Sequence, residues 1–232
     1  MISDDHLKPL PEDIDGLIAG LKQHISLGEK NIKDFQKRYY NGIQENAVIY
    51  CLEHGVDIGK GCLTTSIAKL PDSLTTLSRA LVEAFIWSRY VTLSKENAQE
   101  FSDGTIQEMA RIARKNIKSG YARIVKTSTH EDASENFLNL PQMKSIPQRL
   151  RIEDAARASG LERLYTQIYG FISLYAHGKG FGINKESDVT RRLYTSLSTA
   201  LGTLECINLI ASDWIVYRKQ TPMEMLNMLI GL

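Results

Sequence analysis

Cysteine is scarce in this 232-residue chain: Cys51, Cys62 and Cys206 are the full set, an odd number with no CxxC spacing. That excludes a disulfide framework and a structural zinc site, and it fits a reducing compartment. A dominant charge is also lacking, with 28 Lys+Arg against 27 Asp+Glu. No global field therefore draws the molecule to nucleic acid or to an anionic membrane. Only six prolines and almost no net charge do not fit the composition of a disordered chain. Long apolar runs are missing. The richest stretch, Leu201 to Val216, is broken by Glu205, Asn208 and Asp213, so it does not span a bilayer. Met1 to His6 is acidic where a signal peptide would be basic, and no apolar segment follows. Together these features predict a soluble cytoplasmic protein that needs no metal and no cofactor.

Strand signals are nearly absent too. No run of alternating apolar and polar β-branched residues is sustained, and Asn41-Gly42 falls between helical patterns. The helical period dominates. It predicts helices over about Glu12–Leu27, Glu29–Tyr40, Ile43–Lys69, Ser73–Ser94 and Thr105–Lys126. Further helices are expected over Arg151–Ser159, Leu161–His177, Ser187–Lys219 and Pro222–Ile230. Gly55, Gly59 and Gly61 weaken the third, and Thr127 to Pro147 reads as a long polar connection. The expected fold is all-α, one domain over residues 1–232, built as a helical bundle with long antiparallel helices.

Two helices carry polar groups on otherwise apolar faces. Arg79 and Glu83 are i,i+4 neighbours beside Leu77, Leu81, Val82, Phe85 and Ile86. Tyr165, Tyr169, Ser173 and His177 recur every fourth residue among Leu164, Ile168, Phe171, Ile172 and Leu174. Hydroxyls and an imidazole on such a face need partners, and Arg79 and Glu83 are the obvious ones. A shared cluster is therefore expected, either as a structural network fixing helix register or as a site with chemistry. Nothing supplies an oxyanion hole or a nucleophile elbow, which argues against a serine hydrolase.

The run Leu77-Ser78-Arg79-Ala80-Leu81-Val82-Glu83-Ala84 resembles the R-A-x-x-E helix of a bacterial family known only as a domain of unknown function. Gly160 to Tyr165, followed by Tyr169, Ser173 and His177-Gly178, resembles that family's second signature, Y-x-x-x-S-x-x-x-H. The resemblance implies a helical, distantly HEPN-like fold and a set of special residues, with no reaction attached. HEPN domains include RNA-cleaving toxins and defence effectors that use an Arg, four to six residues, then a His, often paired across a dimer. Arg123 and His130 fit that spacing; His177 does not, because Phe171, Ile172 and Ser173 stand near the arginine's place.

Arg111, Arg114, Lys115, Lys118, Arg123 and Lys126 face a single acid, Glu108, along the expected fifth helix. Such a stripe either follows an RNA backbone or is an ordinary solvated face. Gly178-Lys179-Gly180-Phe181-Gly182 follows a helix with no strand before it, so it is a helix stop and not a dinucleotide loop. Met223, Met225, Leu226, Met228, Leu229 and Ile230 crowd the C-terminal segment. They must pack back on the bundle or onto a second copy in a homodimer. Two functions are expected: a helical binding or structural module, or a metal-independent endoribonuclease or nucleotide-acting effector of HEPN type, with a role in host defence.

Overall fold

The computed structural model describes residues 14–37, 42–144, 150–170, 172–173 and 186–230. Among them all regular structure is helical, and the one β-type pairing is an isolated bridge between Val125 and Asp132. By packing, the chain divides into two compact units, residues 1–98 with 152–232, and residues 99–151.

Four long helices build the first unit: α1 (Ile14–Gln36), α2 (Ile43–Ile67), α3 (Pro71–Leu93) and α9 (Glu186–Tyr217). Their apolar stripes close on one another, and Leu21, Leu52, Leu81, Phe85, Leu204 and Ile207 are fully buried. Side-chain pairs fix the directions. Lys60 meets Glu29 while Gln36 meets Glu53, so α2 runs antiparallel to α1. Asn208 reaches the His24 carbonyl and Asn31 reaches Ser212, so α9 runs parallel to α1. Ser196 meets Thr75 and Ser78, and Gln220, just past α9, reaches the Thr92 carbonyl, so α9 also runs parallel to α3. The expected antiparallel arrangement thus holds for α2 alone; the long excursion between α3 and α9 returns the chain to the end where α3 began.

The sequence places a break at Gly28, but α1 continues through it. A Cβ there would lie 2.4 Å from Val56 Cγ2 and 3.0 Å from Asn208 Oδ1. Gly28 is a point of close helix approach, not a stop. Gly55 and Gly59 serve α2 likewise, against Ile207 and Leu204, and α2 is unbroken.

Helix α4 spans Lys95–Lys118, about ten residues earlier than the periodicity suggests. Ser94 is the reason at its start: the Ser94 hydroxyl accepts the Asn97 N–H at 3.1 Å, an N-cap bond. At its end Gly120 adopts φ +72°, with Tyr121 N–H bonding to the Asn116 carbonyl and Gly120 N–H to Ile117. That pattern is a Schellman stop, so Arg123 and Lys126 lie beyond the helix. The expected polar connection from Thr127 holds a tight turn and two short helices, α5 (Ser134–Leu138) and α6 (Pro141–Lys144).

Back in the first unit, α7 (Ile152–Ala158) packs on α3 and ends in a second Schellman stop at Gly160, φ +73°. The short α8 (Glu162–Leu164) leads directly into a π-helical turn, Tyr165–Tyr169. The last helix, α10 (Met223–Leu229), lies back along α9. Leu226 is fully buried, and the Leu229 carbonyl sits where a Gly202 Cβ would be, while Met225 and Met228 stay exposed.

Candidate functional site

The polar residues of α3 and the π turn meet at one place. Arg79 and Glu83, one helical turn apart, form an ion pair at 3.2 Å. Tyr169 Oη lies between them, accepting from Arg79 Nη2 at 2.6 Å and donating to Glu83 Oε1 at 2.8 Å. The Arg79 guanidinium also sits 4.9 Å from the centre of the Tyr169 ring, a cation–π contact. The π turn matters here. The turn is closed by Gly170 N–H on the Tyr165 carbonyl and keeps residues four apart as neighbours on one face. Tyr165 and Tyr169 accordingly stack with ring centres 4.8 Å apart and 18° between planes.

The electrostatics follow from burial. Tyr169 is buried, and loss of hydration pushes its hydroxyl pKa up despite the Arg79 bond, so the proton stays available for Glu83. The bond to Tyr169 is the largest influence holding the Arg79 pKa above its ordinary value, with the Glu83 charge adding to it. Arg79 and Glu83 keep side-chain exposures of 25% and 35%, so the cluster opens to water on one side. Arg79 Nε, by contrast, is buried and has no hydrogen-bond partner among the described residues.

Of the expected cluster, Arg79, Glu83 and Tyr169 are therefore in direct contact. Ser173 is half-buried, one further turn along, and His177 lies outside the described residues, as does the glycine-rich stop after it. Arg123 and His130 are both exposed; His130 is on the turn closed by Lys126 N–H to the Glu131 carbonyl, and Arg123 precedes it. His130 takes a left-handed backbone, φ +58°, and the Asp132 carboxyl pKa is held down chiefly by hydrogen bonds from Ser134, with the Arg123 charge adding to it. The basic stripe is partly engaged: Arg111 pairs with Glu108, and Arg114 donates to the Met143 carbonyl at 2.9 Å. Lys115 and Lys118 are exposed in the last turn of α4, where cations offset the helix dipole.

Sequence reasoning missed Arg89. It is buried on α3, and its Nε and Nη1 have no hydrogen-bond partner among the described residues. The signal was present, because Arg89 continues the Ser78, Val82, Phe85 stripe at helical spacing. Among the described residues no group of His, Cys, Asp and Glu is placed to hold a metal ion, and no helix is long and apolar enough to cross a membrane.

A family model, described as a family of unknown function (DUF5677), matches residues 45–189, more than half of the chain. The chain belongs to the DUF5677 family. The match runs from α2 into the start of α9 and so includes α3 and the π turn that together make the cluster. Comparison with curated proteins and with solved structures gives no match.

Proposed function

We propose that this DUF5677 member is a helical binding or structural module, HEPN-like in build, in which Arg79, Glu83 and Tyr169 fasten the π turn to α3. The observation that carries this reading is the double engagement of the Tyr169 hydroxyl, by Arg79 on one side and Glu83 on the other. A hydroxyl held by both a guanidinium and a carboxylate is committed to position, and the ion pair leaves Glu83 occupied as a base. The partners considered are a second copy of the chain and RNA, and the compartment proposed is the cytoplasm, on the strength of three unpaired buried cysteines.

The rival reading is metal-independent RNA cleavage or nucleotide chemistry in host defence. The left-handed backbone of the exposed His130, on the turn that follows Arg123, favours it, since such conformations cluster at functional sites. Incubation of the purified protein with total RNA decides between them, comparing wild type with His130→Ala and His177→Ala. The module reading expects no cleavage by any of the three. Cleavage by wild type that either substitution abolishes would replace it with the ribonuclease.

A further inference from the structure

Arg89 is 6% exposed, and its Nε and Nη1 are buried with no hydrogen-bond partner among the described residues. Other arginines of the same unit behave differently. Arg79, Arg157, Arg192 and Arg218 are all more exposed, and each pairs with a carboxylate. Burial alone acts on the Arg89 pKa, lowering it, with no acid among the described residues raising it. A guanidinium does not shed its proton in a protein, and an uncompensated buried charge is strongly unfavourable.

The helices packed on α3 leave further groups open. Trp214 Nε1 and Thr203 Oγ1 on α9, and Ser159 Oγ just after α7, are buried without hydrogen-bond partners among the described residues. The parallel register of α3 and α9, with Ser196 against Ser78 and Gln220 at Thr92, sets Arg89 level with the part of α9 between Thr203 and Trp214. Arg89 and Trp214 can only donate, and the two hydroxyls can donate. The buried carboxylate on this part of α9, Asp213, accepts from the Thr221 hydroxyl at 2.8 Å and pairs with Lys219 at 3.4 Å, and no carboxylate among the described residues pairs with Arg89.

We infer that Arg89 anchors a binding site for the carboxylate group of a small ligand, separate from the Arg79 cluster. A carboxylate brings one negative charge to one guanidinium and can accept several donors at once. A phosphate monoester brings about 1.5 to 2 negative charges at neutral pH and would leave part of them buried and unmatched.

Thermal unfolding of the full chain in sodium acetate tests this, at constant ionic strength with sodium chloride and sodium phosphate as comparison arms. At acetate tenfold above half-saturation the folded-to-unfolded ratio rises about elevenfold, while chloride and phosphate leave it unchanged. Arg89→Met provides the second arm. Without acetate this variant is expected to melt at or above the wild-type temperature, because an apolar chain replaces a lone charge, and acetate no longer moves it. The inference is overturned if wild type shows no saturable response to acetate, or responds to phosphate instead. It is equally overturned if Arg89→Met melts below wild type in acetate-free buffer, since a carboxylate of the chain itself would then be holding Arg89.

Discussion

Replacing Tyr169 by Phe removes one oxygen and leaves the ring in place. The stack with Tyr165 survives, and so does the contact with the Arg79 guanidinium. What is lost is the bond accepted from Arg79 at 2.6 Å and the bond donated to Glu83 at 2.8 Å. Hydrogen bonds to charged groups contribute about 1.5–3 kcal/mol each when fully withdrawn from water. Here both partners keep water contact, at 25% and 35% side-chain exposure, and they touch each other directly at 3.2 Å. Each charge therefore recovers solvation and a counter-charge, and the net loss is expected at about 1–2 kcal/mol. For a chain of this size that lowers Tm by about 3–6 °C. Urea unfolding followed by far-UV circular dichroism measures it, with Glu83→Ala in both backgrounds to close a double-mutant cycle. A coupling of about 1 kcal/mol is expected. A Tyr169→Phe variant within about 0.5 kcal/mol of wild type, the range of ordinary surface substitutions, would refute the reasoning.

The glycines give opposite predictions according to what surrounds them. Gly28→Ala forces a Cβ against Val56 and Asn208 and should cost about 2–3 kcal/mol, whereas Gly104→Ala on α4 meets nothing within 4 Å and should stabilise by about 0.5–1 kcal/mol; chemical denaturation of both variants checks the sign of each. Burial pushes the Cys51, Cys62 and Cys206 thiols up to about 12, so a thiol-specific disulfide reagent at pH 8 should label them only after denaturant is added; rapid labelling of the native protein would contradict their burial. The same shift has a pH signature. Unfolded thiols release their protons near 9 while folded ones hold them to about 12, so the folded state binds more protons and stability falls as pH rises through that window. Replacing the three by Ala or Ser should flatten that alkaline slope.

How much of this was legible in the sequence depends on what each residue responds to. The stripe of Leu81, Val82, Phe85 and Ile86 marks α3 because a buried helix face must repeat near 3.6 residues. The unbroken α9 and the fold-back of α10 follow from the same period and from the apolar crowding after Pro222. Gly28 was misread because a glycine at a helix crossing and a glycine at a helix end look alike without the neighbour, here Val56. Gly120 and Ser94 are the converse: local stop and cap residues that outweighed a periodic pattern running past them.

In the candidate site, Arg79, Glu83 and Tyr169 stand out in sequence as polar residues recurring on apolar faces. Tyr169 meets the other two from a π turn, whose five-residue hydrogen bond leaves no trace in a four-residue spacing. Arg89 was passed over because arginines usually reach the surface along their own stem. Its lack of a carboxylate partner becomes visible only once α7 and α9 are packed against α3.

The central claim is that the Arg79–Glu83–Tyr169 cluster fastens the π turn to α3. Amide hydrogen–deuterium exchange across Glu162–Gly170, in wild type and Tyr169→Phe, tests it most directly. The account predicts faster exchange in this segment, about tenfold for each 1.4 kcal/mol lost, with the protection of α1, α2 and α9 retained. Unchanged protection of the π turn, or an equal acceleration throughout the bundle, would contradict it.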